Sequence, residues 1–562
     1  MTRSRTGSTA GILITMVLIA GLVGLGTWML LREAPAPAAV ATPGATPAAD
    51  EGTPTRPEGT APAPIEPAQG APRLAAAAPY TPRNGVVTID ISEYAGYAGL
   101  VVANRGLKPN PDSFFAKEYG FQLELTKGEE ENWDDVNNGR IGGCATTTDV
   151  LAVMGRQFEV VVPAQIAYSR GADMIVVDRG IGSINQLAGR RIAASQFNEA
   201  EFFLRYLAQE AGLTVRILRD LDAKPAANEI GLVFYADAFL ACDAYAFELA
   251  GARRLAGAVG WSPRTDEVVA ASNGAAKVLV SNRNLLVVAD VLVLNKGFAT
   301  AHPQMVKGLV HGLLYGNQLV RDNPEPHLAV LKDAFGWSAE DARAELKKVH
   351  LSNLPENQAF LGGAIDAAGS FAGIYQQAVM AYGSALIPNP ADAERFAAPA
   401  HLATLAAENR FPGQVVAIAP IRTSSRGALE GEALLSKDIR FFFEPNSATL
   451  DAGNKANPGF LDTIHRYLQV SPGSVVVLNG HVDDKLKDQF RKDGGEALVR
   501  SMALKAVALS KERAQSVRAA LLARHPGLDG TRVEAIGRGW EQPVGTDGDL
   551  NRRVEVKWYT VE

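Results

Sequence analysis

Two short polar segments carry the residue types best suited to holding a small molecule. Thr146-Thr147-Thr148 and Ser195-Gln196-Phe197-Asn198 each stand where a strand-like stretch gives way to a helical one. A helix starting there leaves backbone N–H groups open, and with nearby hydroxyls these favour an anion. The same residues serve equally well as simple helix caps. Glu199 follows the second segment and Glu93 ends the first strand, and a carboxylate at either place repels an anion. Catalytic chemistry finds no support: there is no G-x-x-x-x-G-K-[ST] phosphate loop, no H-E-x-x-H and no G-x-S-x-G elbow. The eight histidines are scattered without metal-ligand spacing, and Cys144 and Cys242 form no C-x-x-C pair. No catalytic residue, metal or cofactor is assigned, and the cysteines read as two free, buried thiols.

Strands and helices must alternate to position those segments. Val86-Val87-Thr88-Ile89-Asp90-Ile91 is a β-branched strand, and Leu100-Val101-Val102-Ala103 lies in a helix ending near Gly106. Phe121 to Leu125, Val160 to Val162, Met174 to Val177 and Arg191 to Ala194 continue the alternation, which implies βαβ units and largely parallel sheets. The 562 residues leave room for about three domains. With 47% hydrophobic and 21% charged residues and a net charge of −6, no basic excess points to nucleic acid.

The N-terminus sets the compartment. Residues 11–31 form a run of 21 without a charge, long enough to cross ~30 Å of hydrocarbon. Arg3 and Arg5 precede it and predict a cytoplasmic N-terminus, while Trp28 suits the far interface. A cleaved signal peptide is the rival, but its apolar core is usually shorter and a small-residue site follows, where Trp28-Met29-Leu30-Leu31-Arg32-Glu33 stands here. Neither cysteine follows the run, so there is no place for a lipid anchor. The span carries no carboxylate, which disfavours an ion-carrying role, and Ala20 and Gly24 offer a small-xxx-small face for a second helix. Residues 34–83 are dominated by Pro and Ala without periodicity and read as a linker.

Ordered phrases in the middle of the chain resemble a known family. They are Tyr94-Ala95-Gly96-Tyr97-Ala98-Gly99-Leu100, then Asn137-Asn138-Gly139-Arg140-Ile141-Gly142-Gly143-Cys144-Ala145-Thr146. Tyr168-Ser169-Arg170-Gly171-Ala172-Asp173, Ile184-Asn185-Gln186-Leu187-Ala188-Gly189-Arg190-Arg191 and Ala238-Phe239-Leu240-Ala241-Cys242-Asp243-Ala244 follow. Together they resemble periplasmic substrate-binding proteins of the nitrate/sulfonate/taurine and thiamine-precursor (NMT1/THI5-like) type. The resemblance implies a two-lobed α/β fold (type II) over residues 84–412, with ligand in the interlobe cleft. It implies a crossing between lobes at Leu187-Ala188-Gly189 and a return at Val287 to Leu294. Tyr94, Tyr97, Thr146, Thr147, Thr148, Ser195, Gln196, Asn198 and Asp243 are the residues it brings toward a ligand.

A second resemblance covers the C-terminus. Ile439-Arg440-Phe441-Phe442-Phe443-Glu444-Pro445 reads as a strand and turn, and Val475-Val476-Val477-Leu478-Asn479-Gly480-His481-Val482-Asp483 as a buried strand ending in a "GHTD"-like phrase. Leu509-Ser510-Lys511-Glu512-Arg513-Ala514-Gln515-Ser516-Val517, Gly537-Arg538-Gly539-Trp540 and Asn551-Arg552-Arg553-Val554 complete it. These resemble OmpA-type peptidoglycan-binding domains of α+β fold, here residues 434–562 after a linker at 413–433. The resemblance implies that Asp483 holds the ammonium of a diaminopimelate side chain and Arg513 its carboxylate, a task that suits the planar guanidinium. A helix entered at Ser510 aims Arg513 from the flank of Ala514, Val517 and Leu521. Two departures stand out: a charged insertion from Asp484 to Arg500, expected as a surface loop, and Ala506 where the family has asparagine.

The sequence thus predicts an α/β protein with residues 1–33 as cytoplasmic tip and single-pass inner-membrane anchor, its bulk periplasmic. It would hold peptidoglycan and a small solute, an anion being one option, with an integral membrane protein as a further partner. The alternative is a motor-stator-like wall tether in which the binding-protein unit serves as spacer or docking module.

Overall fold

The computed structural model describes residues 61–559 except 129–131, 364–368, 419–432, 445–446, 472 and 546–547. The apolar run 11–31 lies outside the described residues. Among those described, no helix is long and apolar enough to cross a membrane.

The first lobe begins with β1 (Val86–Ile91), β2 (Gln122–Lys127), β3 (Gly143–Thr147) and β4 (Val160–Ser169), with β1 parallel to both β2 and β3. The chain crosses through 170–172, where Gly171 at φ 112° makes the change of direction. The second lobe holds β5 (Asp173–Asp178), β6 (Arg191–Ala194), β7 (Thr214–Leu218), β8 (Glu229–Phe234), β9 (Gly257–Trp261) and β10 (Ala276–Ser281). Residues 282–288 return to the first sheet at β11 (Ala289–Asn295), joined later by β12 (Val349–Leu351). The two six-stranded sheets run β12-β4-β11-β3-β1-β2 and β10-β5-β9-β6-β8-β7.

The lobe crossing therefore lies at 170–172 and not at Leu187-Ala188-Gly189, which turns from the short 3-10 helix Ile184–Leu187 into β6 inside the second lobe. The expected return at Val287 overlaps the observed one. β11 is buried along its whole length, as a central strand should be, and its sequence is apolar but for Asp290 and the terminal Asn295. Helix Ala98–Asn104 lies against helix Pro303–Asp322, where a Cβ on Gly316 would stand 1.9 Å from the Gly99 carbonyl oxygen. Only glycine permits that approach, and it fixes the helix that directly follows Tyr94 and Tyr97.

The C-terminal domain is a four-stranded sheet, β13 (Leu435–Ile439), β14 (Val475–Gly480), β15 (Val533–Gly537) and β16 (Val554–Tyr559), in the order β13-β16-β14-β15. The first strand precedes the Phe-rich segment expected to form it. Leu435 and Ile439 are buried where β13 pairs with β16, while Phe442 is exposed. The charged insertion is not a loop either. It is helical and continuous with the next element, Lys487–Arg524, interrupted only at Gly494 and Gly495. Ser510 is thus mid-helix, on the buried stripe Val499, Ala506, Ser510, Ala514, Val517 and Leu521, whose spacing is helical.

This domain is docked on the second lobe. Ile184 N–H donates to the Leu434 carbonyl (3.0 Å), Leu286 N–H to the Val470 carbonyl (2.8 Å) and Ser436 N–H to Asn185 Oδ1 (2.8 Å). Arg466 pairs with the buried Glu210 at 2.6 Å, and the Tyr467 hydroxyl donates to the Glu210 carbonyl at 2.9 Å. One apolar core runs from Phe202 and Leu207 of the second lobe to Tyr467 and Trp558 of the last domain. The described end of the Pro/Ala-rich stretch is also packed down: Ile65 N–H donates to the Phe234 carbonyl (2.9 Å) and Leu74 N–H to Gln157 Oε1 (3.0 Å).

Candidate functional sites

A cavity of about 20 Å³, room for about one water, lies between the lobes. Ser92, Tyr94, Tyr97, Thr147, Ser169, Val288 and Asp290 line it from the first lobe and the crossings, and Asp173, Glu199 and Trp261 from the second. Strand ends and helix starts place them: Tyr94 follows β1, Thr147 ends β3, Ser169 ends β4, Asp173 opens β5 and Glu199 opens helix Glu199–Glu210. The Tyr97 hydroxyl donates to Asp290 Oδ1 at 3.2 Å, and the Tyr94 and Tyr97 rings meet edge to face at 5.3 Å. Burial pushes the Tyr94 phenol well above its ordinary pKa, and Asp290, Asp173 and Glu199 push it further. Burial likewise raises Asp173, against hydrogen bonds from Ser169 and Asn282.

Of the residues expected at the ligand, Tyr94, Tyr97 and Thr147 line the cavity. The others are placed elsewhere. Thr146 is buried in β3, and Thr148 Oγ1 donates to the Ala289 carbonyl at 3.3 Å. Asn198 caps its helix by accepting from Glu201 N–H (3.4 Å), and its amide donates to Ser195 Oγ. Gln196 is turned outward to the Ala68 backbone (2.9 and 3.0 Å), and Asp243 pairs with Arg264 Nε at 2.7 Å. Glu93 is held outside the cavity by Trp337 Nε1 (2.8 Å) and Lys127 (3.6 Å). Capping and pairing thus account for these side chains. Phe197, two residues before the cavity's Glu199, has φ 66°, a conformation costing roughly 1–3 kcal/mol. It is held because its N–H donates to Glu201 Oε2 (2.7 Å), while Glu201 pairs with buried Arg205 (2.6 Å).

Sequence reasoning missed Asp290, Asp173 and Trp261. The signal for Asp290 was a lone carboxylate inside Val287-Val288-Ala289-Asp290-Val291-Leu292-Val293, where burial is implied on both faces.

The second site is a groove of about 710 Å³ in the C-terminal domain, between the Phe441–Phe443 segment, the loop after β14, the long helix and Arg552. Gly480 packs so closely on that helix that a Cβ there would lie 2.0 Å from the Ser510 carbonyl oxygen. This contact sets the start of the loop that carries Asp483. Asp483 Oδ2 accepts from Arg552 Nη1 at 2.9 Å. The Arg513 guanidinium lies 5.1 Å over the Phe443 ring, and its Nε donates to the Ser447 carbonyl at 3.4 Å. Burial lowers the pKa of Arg513, Arg552 lowers it further and Asp483 opposes both, so the three side chains share one field. Arg440 and Lys505 add positive charge, against Glu444 and Asp483. Ala506 also lines the groove. Arg552 was not singled out from the sequence, although the Arg552-Arg553 doublet marks it.

Residues 442–557 match the OmpA family. Among curated proteins nothing matches the chain. Among solved structures, the chain is similar to the periplasmic aliphatic sulphonate binding protein of Escherichia coli, at 15% identity over 61% of this chain and 99% of that one, with a TM-score of 0.41. It is similar to the periplasmic nitrate-binding protein of Synechocystis PCC 6803, at 12% identity over 59% and 91%, with a TM-score of 0.43. A desulfurization enzyme is similar at 14% identity over 58% and 100%, with a TM-score of 0.39. The chain joins a two-lobed α/β unit, built of two six-stranded sheets linked by a double crossing, to a C-terminal domain whose residues 442–557 match the OmpA family.

Proposed function

We propose that this is an inner-membrane-anchored periplasmic protein that grips peptidoglycan through its C-terminal groove and binds a small solute between its lobes. The observation that carries the wall-binding half is the Asp483–Arg552 ion pair beside half-buried Arg513. That set offers one carboxylate for an ammonium and two guanidiniums for carboxylates, which is the charge pattern of a diaminopimelate side chain. The solute-binding half is supported by a cavity lined almost wholly by polar and aromatic groups, where a spacer would fill it with aliphatic side chains. The tether reading keeps one observation in its favour, the docking of the C-terminal domain on the second lobe. Membrane vesicles and isolated sacculi test the proposal together. The full-length protein should stay in the membrane after a carbonate wash, retain its own N-terminal methionine region and co-sediment with sacculi. An N-terminus beginning after Arg32 would remove the anchor, and failure to sediment would remove the wall partner.

A further inference from the structure

The interlobe cavity has a chemical bias that the fold does not dictate. Asp173, Glu199 and Asp290 line it, and no lysine, arginine or histidine stands among the described lining residues. The field is felt inside: these are the charges that, after burial, raise the Tyr94 phenol. An anion entering here would meet carboxylates from both lobes, whereas a cation would be attracted by each. The rings of Tyr94, Tyr97 and Trp261 stand among the carboxylates, and aromatic faces attract organic ammonium groups. Two further groups point to a ligand independently of charge. Thr147 Oγ1 and Trp261 Nε1 belong to side chains only 3% and 6% exposed, line the cavity, and have no hydrogen-bond partner among the described residues. Buried polar atoms are normally satisfied. The indole N–H can only donate, so it calls for an acceptor on the ligand. A carboxylate or sulfonate would supply that acceptor at the cost of repulsion, and a neutral oxygen supplies it without.

We propose that the cleft selects a small organic cation, an ammonium that also carries a neutral oxygen acceptor, of the amino-alcohol class. This rests on the reading of the cleft as a solute site. Because the cavity holds about one water in this conformer, the lobes must part at 170–172 and 282–288 for such a molecule to enter.

Calorimetric titration of the full-length protein in detergent tests it, with ethanolamine, taurine, methanesulfonate and calcium chloride as probes. Taurine keeps the amine of ethanolamine and exchanges the hydroxyl for a sulfonate, so the pair isolates the predicted repulsion. Ethanolamine should bind, taurine at least about tenfold more weakly and methanesulfonate not at all. Asp290→Asn and Glu199→Gln should each weaken ethanolamine by roughly ten- to a hundredfold, while Glu325→Gln, in a surface pair with Arg343, should not. Circular dichroism of each variant checks that the fold is retained, and Glu199→Gln remains informative if Asp290→Asn unfolds. Tighter binding of taurine or methanesulfonate than of ethanolamine overturns the cation class, tighter binding of calcium overturns the organic ammonium, and either result leaves a solute site. Absence of heat with every probe overturns the solute reading as well.

Discussion

Asp483→Asn is the most direct perturbation of the C-terminal groove, since it keeps the side-chain shape and removes the charge. The Asp483–Arg552 pair measures 2.9 Å with side chains 21% and 40% exposed. A pair so open to solvent contributes no more than ~1 kcal/mol to folding, so the melting temperature should shift by only about 2–4 °C. The effect on wall binding should be larger. An ammonium that displaces Arg552 from Asp483 gains a charge-assisted hydrogen bond of ~1.5–3 kcal/mol, and losing it weakens binding by about one to two decades. Arg513→Ala should cost as much, because its guanidinium is already half-desolvated over Phe443 and needs little reorganisation to meet a carboxylate. Arg552→Ala removes a cation from the groove and a competitor from Asp483 at once. These oppose each other, and the net change should stay below about fivefold. Co-sedimentation of full-length variants with isolated sacculi, across a protein titration, reads all three. Wild-type midpoints for both Asp483→Asn and Arg513→Ala would refute the assignment. Release by Arg552→Ala alone would move the site to that arginine.

Two further outcomes follow from the packing. Arg466→Ala leaves Glu210, 4% exposed, without its cation at the docked face, and should destabilise the C-terminal domain by on the order of 2 kcal/mol, discounted for the one-third exposure of Arg466. Calorimetry should then show its transition separating from that of the lobes, and an unchanged single transition would contradict the shared core. His311, packed against Phe114 and Phe411 and hydrogen-bonded to Tyr119 (2.8 Å), is pushed down to about 4 by burial, with Arg410 and Lys307 adding to the shift and Glu408 opposing it. The unfolded chain takes up this proton near pH 6.5, before the folded one does, so stability is full above that pH and falls toward pH 4, by up to on the order of 3 kcal/mol. His311→Gln should flatten that acid limb relative to wild type in denaturant titrations between pH 7 and about 4.

Much of the architecture was legible because it is written in local chemistry. β-branched runs such as Val86 to Ile91 form strands wherever one face is covered, and the phrases around Gly480 and Ser510 are bound to one another by close backbone packing. The crossing between lobes was not legible. Leu187-Ala188-Gly189 and Arg170-Gly171-Ala172 are both short turns with a positive-φ glycine, and only pairing decides that β5 joins the second sheet while β6 already lies within it. The helix over the charged insertion was partly legible, since Val499, Ala506 and Ser510 keep its period, but Gly494-Gly495 and the charges imitate a loop. In the cleft, polar residues at helix starts drew attention because caps and ligand contacts use the same groups. Asn198 caps its helix and Thr148 bonds to the Ala289 carbonyl, whereas Asp290, from a strand far off in sequence, faces the cavity.

The docking of the last domain bears on how the two sites can act together. Its contacts fall on Ile184, Asn185 and Glu210 of the second lobe and on Leu286, which lies within the return crossing at 282–288. The groove with Asp483 and Arg513 is thus carried on the body that holds Asp173, Glu199 and Trp261 of the cavity. Opening the cleft about the two crossings then displaces the first lobe, with Tyr94, Tyr97 and Asp290, relative to the groove and not the second lobe. With Leu286 N–H bonded to the Val470 carbonyl at 2.8 Å, one of the two hinge segments is braced by the C-terminal domain itself. If the groove holds peptidoglycan as proposed, the second lobe stays fixed on the wall with the C-terminal domain, and solute binding moves the first lobe alone.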